Sequence, residues 1–338
     1  MSISAKGIAE KLGLSAATVS MVLNNKGGIS EKTRSRVLET ARSCGYDFSK
    51  KNDPEAGKGV IQFVIYKEHG AIVTDTPFFA QIAEGVDIGC KRDGYELQVT
   101  YFYGLQSIPE QIQAISERNC RGILLLGTEM KPESFRPFLG LKVPLVVLDT
   151  YFEELNCDSV LINNMQGAYL ATNYLIDCGM KNVGYLHSSY SIGNFSERAD
   201  GYYKALRHSG IATDHPYVHR LAPSMEGAYA DMLGILRQHP PVADAYFADN
   251  DLIAAGAMRA FRECGYGIPE DVSIVGFDDM PICEFLEPKL TTMAVPKRVL
   301  AELAVERLVG KIRNPKSTVT KIEVSVSLHE RMSVKGVR

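Results

Sequence analysis

From Val60 onward, short apolar runs alternate with stretches whose apolar positions recur three and four residues apart, almost without a break. The runs predict strands at Val60–Tyr66, Leu97–Tyr103, Gly122–Leu126, Leu145–Leu148, Val160–Ile162, Val183–Leu186, Ala245–Phe247 and Val272–Phe277. The intervening stretches predict amphipathic helices at Phe79–Gly94, Pro109–Asn119, Met165–Gly179, Glu197–Gly210, Ala228–Gln238 and Asp251–Gly265. A run apolar at every position, such as Gly122–Leu126, belongs to a parallel sheet covered on both faces. The alternation therefore predicts a doubly wound α/β body. Roughly 280 residues exceed what one such sheet usually takes, so two lobes are expected. No repeat or low-complexity tract interrupts the pattern.

The first fifty residues follow a different period. Ser4 is placed to cap a helix over Ala5–Leu12, Ser15 one over Ala16–Asn24, and Ser30 one over Glu31–Cys44, with Gly13 and Gly45 as stops. Gly13-Leu14-Ser15 is the short glycine-containing turn of a helix-turn-helix. Val19, Val22 and Leu23 fall on the inner face of the second helix. Its outer face then carries Ala16, Ala17, Ser20, Met21 and Asn24, small and polar enough to approach a groove. Residues 49–58, SKKNDPEAGK, read as a polar linker.

Composition sharpens this division. The chain has 338 residues, 45% hydrophobic and 23% charged, which is ordinary globular usage. Residues 1–50 hold eight bases against four acids, so they carry +4 of a chain whose net charge is −3, leaving −7 for the rest. A basic head on an acidic body is the layout of a nucleic-acid reader attached to something else. No run approaches a membrane span, and the N-terminus lacks the apolar core of a signal peptide, so a soluble cytoplasmic protein is expected. Seven scattered cysteines, none spaced CxxC, argue against a disulfide scaffold or a structural zinc site.

Open parallel sheets bind ligands beyond the carboxyl ends of their strands. Those positions hold Asp149, His187-Ser188, Asp249-Asn250-Asp251 and Asp278-Asp279, with Tyr66, Phe78 and Phe79 as possible flat faces. Singly, each Asp reads as a helix cap; together they read as a cleft for vicinal hydroxyls. The acidic balance of these positions predicts a neutral, polyhydroxylated ligand. Motifs for dinucleotide, nucleoside triphosphate, serine-hydrolase or zinc chemistry are missing from the sequence, so no catalytic residue, cofactor or metal is expected.

Several stretches match a known family. They are Ile8-Ala9-Glu10, Gly13 to Asn24, Ile29 to Arg34, Thr76-Pro77-Phe78-Phe79, Asp249-Asn250-Asp251-Leu252, Ile268 to Asp279 and Leu290-Thr291-Thr292. In this order and spacing the chain resembles the lactose-repressor (LacI/GalR) family of bacterial transcription regulators. The resemblance implies a helix-turn-helix head at 1–48, a hinge at 49–58 and an effector-binding, dimerising body at 59–338. That body would be of the periplasmic-binding-protein type, with two Rossmann-like lobes. It divides them as 59–162 plus 292–320 and 163–291 plus 321–338, with crossings near 162, 291 and 320. It implies a homodimer on a near-palindromic operator, with a small-molecule effector, a sugar, in the cleft. Base-reading positions would be Ala16, Ala17 and Met21, and phosphate contacts Ser4, Thr18, Ser20, Asn24, Ser30 and Thr33. Effector contacts would be Phe78, Asp149, Arg198, Asn250 and Asp278. A sugar receptor acting through protein contacts, and an enzyme acting on sugars, remain the competing readings.

Two stretches depart from the family pattern. Met21 stands where an Arg is common, and residues 49–58 hold no leucine able to wedge into a minor groove. Pro54 and Gly57 interrupt helix, so a tether rather than a DNA-inserted hinge helix is expected there.

Overall fold

The computed structural model describes residues 5–23, 28–44, 46, 58–73, 76–214 and 216–336. The chain divides at Gly59/Val60 into a head and a body. In the head, α1 (Ala5–Leu12), α2 (Ala16–Leu23) and α3 (Glu31–Ser43) pack around Ile8, Ala9, Val19, Val22, Leu23, Val37 and Ala41, all buried. Two of the expected caps form. Ser15 Oγ accepts the Thr18 N–H (3.0 Å) and Ser30 Oγ that of Thr33 (3.3 Å), each satisfying an amide that the first helical turn leaves unpaired. Gly13, at φ +63°, takes the left-handed conformation that turns α1 toward α2.

The body runs β1 (Val60–Lys67), α4 (Pro77–Asp93), β2 (Glu96–Tyr103), α5 (Ile108–Ser116), β3 (Cys120–Leu126), α6 (Pro132–Phe135), β4 (Leu145–Leu148) and β5 (Asp158–Ile162). It continues with α7 (Asn164–Asp177), β6 (Val183–Ser188), α8 (Gly193–His208), β7 (Val218–Leu221), α9 (Met225–Leu236), β8 (Ala245–Ala248), α10 (Asp251–Glu263) and β9 (Ser273–Asp278). Then follow β10 (Thr291–Ala294), α11 (Lys297–Arg313), β11 (Lys321–Val324) and β12 (Ser327–His329). Every expected strand is present, and β7, β10, β11, β12, α6 and α11 are additions.

Two six-stranded sheets result, ordered β2-β1-β3-β4-β5-β11 and β7-β6-β8-β9-β10-β12. Each contains the same doubly wound order, 2-1-3-4-5, so the lobes repeat one topology. Their last strands differ in sense: β11 runs parallel to β5, whereas β12 runs antiparallel to β10. The chain passes between sheets at Asn163, at Val295–Pro296 and at Ser325–Val326. The second and third passages correct the expected positions near 291 and 320. Thr291–Ala294 pairs with β9, which keeps 292–294 in the second lobe, and Lys321–Val324 pairs with β5, which keeps 321–324 in the first.

Helix α8 lies so close to α7 that a Cβ on Gly201 would stand 2.2 Å from the Met165 carbonyl oxygen. Gly201→Ala should therefore cost about 1–3 kcal/mol or more through forced separation of the helices. Gly234→Ala, on an open face of α9, should be neutral or slightly stabilising. Thermal unfolding of the two variants checks the contrast; equal midpoints would refute it.

Candidate functional site

The carboxyl ends of both sheets face a cavity of about 100 Å³ between the lobes. The first lobe supplies Ala71, Ile72, Thr76, Phe78, Phe79, Thr128 and Asp149; the second supplies, among others, Asn194, Phe195, Arg198, Asn250, Asp278 and Met280. Phe78, Asp149, Arg198, Asn250 and Asp278, separated by up to 200 positions in sequence, line this one space. They meet because parallel strands deliver all their carboxyl ends to the same edge. Tyr66 does not join them. It is fully buried against Phe102 on the far face of β1, with its hydroxyl donating to Glu68.

Arg198 is 3% exposed on α8 and held on every side. Its Nε donates to Asn164 Oδ1 (2.9 Å), its Nη1 donates to the Asp249 carbonyl, and its Nη2 lies 3.5 Å from Asp278 Oδ1. The guanidinium stacks 3.7 Å from the Phe277 ring centroid. Asp278 Oδ1 is buried and has no hydrogen-bond partner among the described residues. Such an orphaned acceptor is uncommon in a folded interior and is satisfied when a ligand donates to it. Asp149 is better supplied, accepting from Thr128 Oγ1 (2.6 Å) and, across the lobes, from Asn194 Nδ2 (3.2 Å). Asn250 uses one lone pair of its oxygen on the Ile253 N–H (2.8 Å), capping α10, which leaves its nitrogen as a donor for a ligand.

Asp149 and Asp278 leave their strands at φ +65° and +109°. Aspartate tolerates such left-handed backbone better than most residues, yet the conformation costs of order 1–3 kcal/mol and marks geometry fixed by its surroundings. Burial pushes both carboxyls up to about 6, against the opposing pull of Arg198. Lys297, at the start of α11, donates to the Asp278 and Asp279 carbonyls and so pins this turn from the first lobe.

The acidic cleft expected from five aspartates is corrected to two. Asp249 accepts from Tyr185, His187 Nδ1 (2.7 Å) and the Ser188 N–H (2.6 Å). Asp251 accepts from Thr292 Oγ1 (2.6 Å) and the Met280 N–H (2.7 Å), and Asp279 pairs with His329 and Arg331 (2.8 Å each). Asp249, Asp251 and Asp279 therefore spend their carboxylates on protein partners and, among the described residues, do not line the cavity. Asp149 and Asp278 thus face a single guanidinium.

In the head, Ala16, Ala17, Ser20 and Ser30 are exposed, and Thr18, Met21 and Thr33 half-buried. Thr18 Oγ1 lies 2.8 Å from Ser15 Oγ and Thr33 Oγ1 2.9 Å from Ser30 Oγ, at helix N-termini that favour an anion. Ser4, Asn24, Phe48 and the linker stretch 49–57 lie outside the described residues.

Residues 5–48 match the family described as bacterial regulatory proteins, lacI family, and residues 172–334 match the periplasmic binding protein-like domain. A ribose operon repressor of Haemophilus influenzae is 32% identical over 313 residues, 92% of each chain. The chain belongs to the lacI family of bacterial regulatory proteins. An HTH-type transcriptional repressor PurR of Pasteurella multocida is 30% identical over 335 residues, 98% of each chain. The solved complex of the transcriptional regulator CelR with cellobiose superposes with a TM-score of 0.74 at 25% identity, covering 98% of this chain and 99% of that one. This lacI-family chain is accordingly a DNA-binding transcription regulator with a helix-turn-helix head and a two-lobed body. Among the described residues no helix is long and apolar enough to cross a membrane.

Sequence reading missed Thr128, Asn164, Asn194, Phe195 and Lys297. Asn194 and Phe195 were within reach, since they share a helix face with Arg198 four and three residues on. The others come from the loop after β3 and the starts of α7 and α11, and carry no local signal.

Proposed function

We propose that the chain is a cytoplasmic repressor that binds a near-palindromic operator as a homodimer, controlled by a neutral sugar held between the lobes. The observation that carries the effector reading is the orphaned Asp278 carboxylate oxygen beside the buried Arg198 guanidinium. An acceptor and a donor set so placed match the vicinal hydroxyls of a sugar, with Phe78 and Phe195 as apolar walls. The named ligand of CelR and the named operon of the Haemophilus relative support the same class. Among the described residues no histidine lines the cavity, and the Thr128 hydroxyl is committed to Asp149, which favours binding over catalysis. Calorimetry with D-ribose, cellobiose and ribose 5-phosphate tests the ligand class: a neutral sugar binds and the phosphate does not. Tight phosphate binding, or turnover of the sugar, overturns it.

For the head, we expect affinity for a palindrome from the gene's own promoter to fall steeply with salt, because phosphate neutralisation releases counterions. A mobility shift with no palindrome preference would favour the protein-contact receptor instead. With Ala16, Ala17 and Met21 forward, base contacts should favour thymine methyls. Met21→Arg should move the preferred base pair at its position toward G·C by about 1–3 kcal/mol, readable by selection from a randomised operator. An unaltered preference would refute the assignment.

A further inference from the structure

Five backbone amides converge on one carboxylate beside the cavity. Glu129, just beyond β3, is 7% exposed. Its Oε2 accepts from the N–H groups of Glu68 (2.8 Å), His69 (3.1 Å) and Gly70 (3.0 Å). Its Oε1 accepts from those of Ile72 and Val73 (2.8 Å each). Burial opposes ionisation, yet the amides of Val73, Ile72, Gly70 and His69 outweigh it and hold the carboxyl below its ordinary range.

Residues 68–73 form the segment after β1, turned at Gly70 through φ +65°. Ala71 and Ile72 line the cavity of Asp149, Arg198 and Asp278, and also an adjoining cavity of about 800 Å³ whose wall includes Glu129. This part of the wall has no regular secondary structure to hold it. Successive amides aimed at one point make an anion nest, a concavity that binds phosphate or carboxylate in other proteins. Here the anion is supplied by the chain itself, from a different strand end.

We infer that Glu129 is a positioning residue for the effector: a built-in anion that fills the nest of residues 68–73 and thereby sets the Ala71–Ile72 wall. The nest, emptied of its own carboxylate, takes a small free one. Glu129 touches no ligand; it acts on affinity through the segment it holds. The inference rests on the cavity being the effector site, and its test is arranged so that the two stand or fall separately.

The test uses full-length protein with Glu129→Ala and Glu129→Gln, hydrogen exchange of residues 68–73, and calorimetry with D-ribose. Loss of five charge-assisted bonds should speed exchange across 68–73 at least about tenfold in Glu129→Ala, while β1 and β3 keep their protection. Excess acetate should restore that protection, and chloride at equal ionic strength should not. Ribose affinity should fall roughly tenfold or more and return with acetate. In Glu129→Gln the amide still fills the nest with a single acceptor, so exchange should quicken without acetate rescue. A purely structural role would lower thermal stability with no response to acetate. Unchanged exchange in Glu129→Ala, or no acetate effect on exchange or affinity, overturns the inference. Should Glu129→Ala fail to fold, unchanged exchange at 68–73 in Glu129→Gln overturns it equally, and faster exchange confined there supports it. If wild-type protein does not bind ribose, the sugar reading suffers, while exchange and acetate still judge the nest.

Discussion

Asp278→Ala should weaken the binding of a neutral sugar by roughly 30- to 1,000-fold, the loss of about 2–4 kcal/mol carried by one or two charge-assisted hydrogen bonds. Two effects on stability oppose each other. Removing a desolvated carboxylate relieves a burial cost, whereas Arg198 loses its nearest counter-charge, 3.5 Å away. The guanidinium keeps Asn164, the Asp249 carbonyl and the Phe277 ring, so the fold should persist. Alanine is also less comfortable than aspartate at φ +109°. Asp278→Asn separates these causes, because it retains shape and backbone preference while removing charge and one acceptor. Calorimetry should find it intermediate between wild type and alanine. If both variants bind as tightly as wild type, Asp278 is not an effector contact.

Acidification from pH 7 to pH 5 should pull ligand affinity and unliganded stability in opposite directions. Asp278 is pushed up to about 6 by burial, so below that pH the acceptor oxygen becomes protonated in a growing fraction of molecules. Affinity that requires the ionised form should fall toward tenfold per pH unit below about 6. The stability sign is the reverse. Asp149 and Asp278 at about 6 and Asp251 at about 7 lie above the ordinary aspartate value of 3.8, which the unfolded chain retains. Between those values the folded state takes up protons that the unfolded state does not, so their contribution to folding becomes more favourable as pH falls from 7 toward 4. These three carboxyls should by themselves raise the unfolding midpoint of the free protein across this window, opposed by His219, whose pKa burial lowers, while the ligand-induced increment shrinks. A ligand-induced increment that does not shrink between pH 7 and pH 5 would show Asp278 to be ionised throughout.

The architecture was legible where burial is continuous. Runs such as Leu145–Leu148 stand on strands covered on both faces, and their alternation with amphipathic helical stretches singles out a parallel sheet. Strands β11 and β12 escaped because they lie at sheet edges, with alternating or exposed residues such as Lys321 and Glu323 that read as loop. Strand β10 carries the second passage beyond the expected 291, and β11 carries the third beyond 320. Helix α11 has a visible stripe, Leu300, Ala301, Ala304, Val305, Leu308 and Val309, but periodicity does not say which lobe it covers. Of the residues lining the cavity, Asp149, Asn250 and Asp278 were legible from strand-end position, Phe78 as a flat apolar face, and Arg198 through family resemblance. Their supports were not. Asn164 holding Arg198, Lys297 pinning the Asp278 turn and Glu129 gathering amides 68–73 are tertiary relations with no short-range trace. The surplus of aspartates misled for a related reason: sequence shows which residues follow a strand, but not which way each one points.

The late arrival of β11 and β12 has a bearing on the order in which a nascent chain acquires structure. The first lobe closes its sheet only with residues 321–324 and the second only with 327–329. The three helices of the head are complete by Ser43. At about 5–20 residues per second, the head is synthesised roughly 15–60 s before either lobe has all its strands. During that interval a polypeptide still on the ribosome carries a finished DNA-reading element with no means of responding to effector. In the homodimer proposed above, placing two heads on the half-sites of one operator would wait for two completed bodies, so site selectivity and response to the signal would arise at the same late moment.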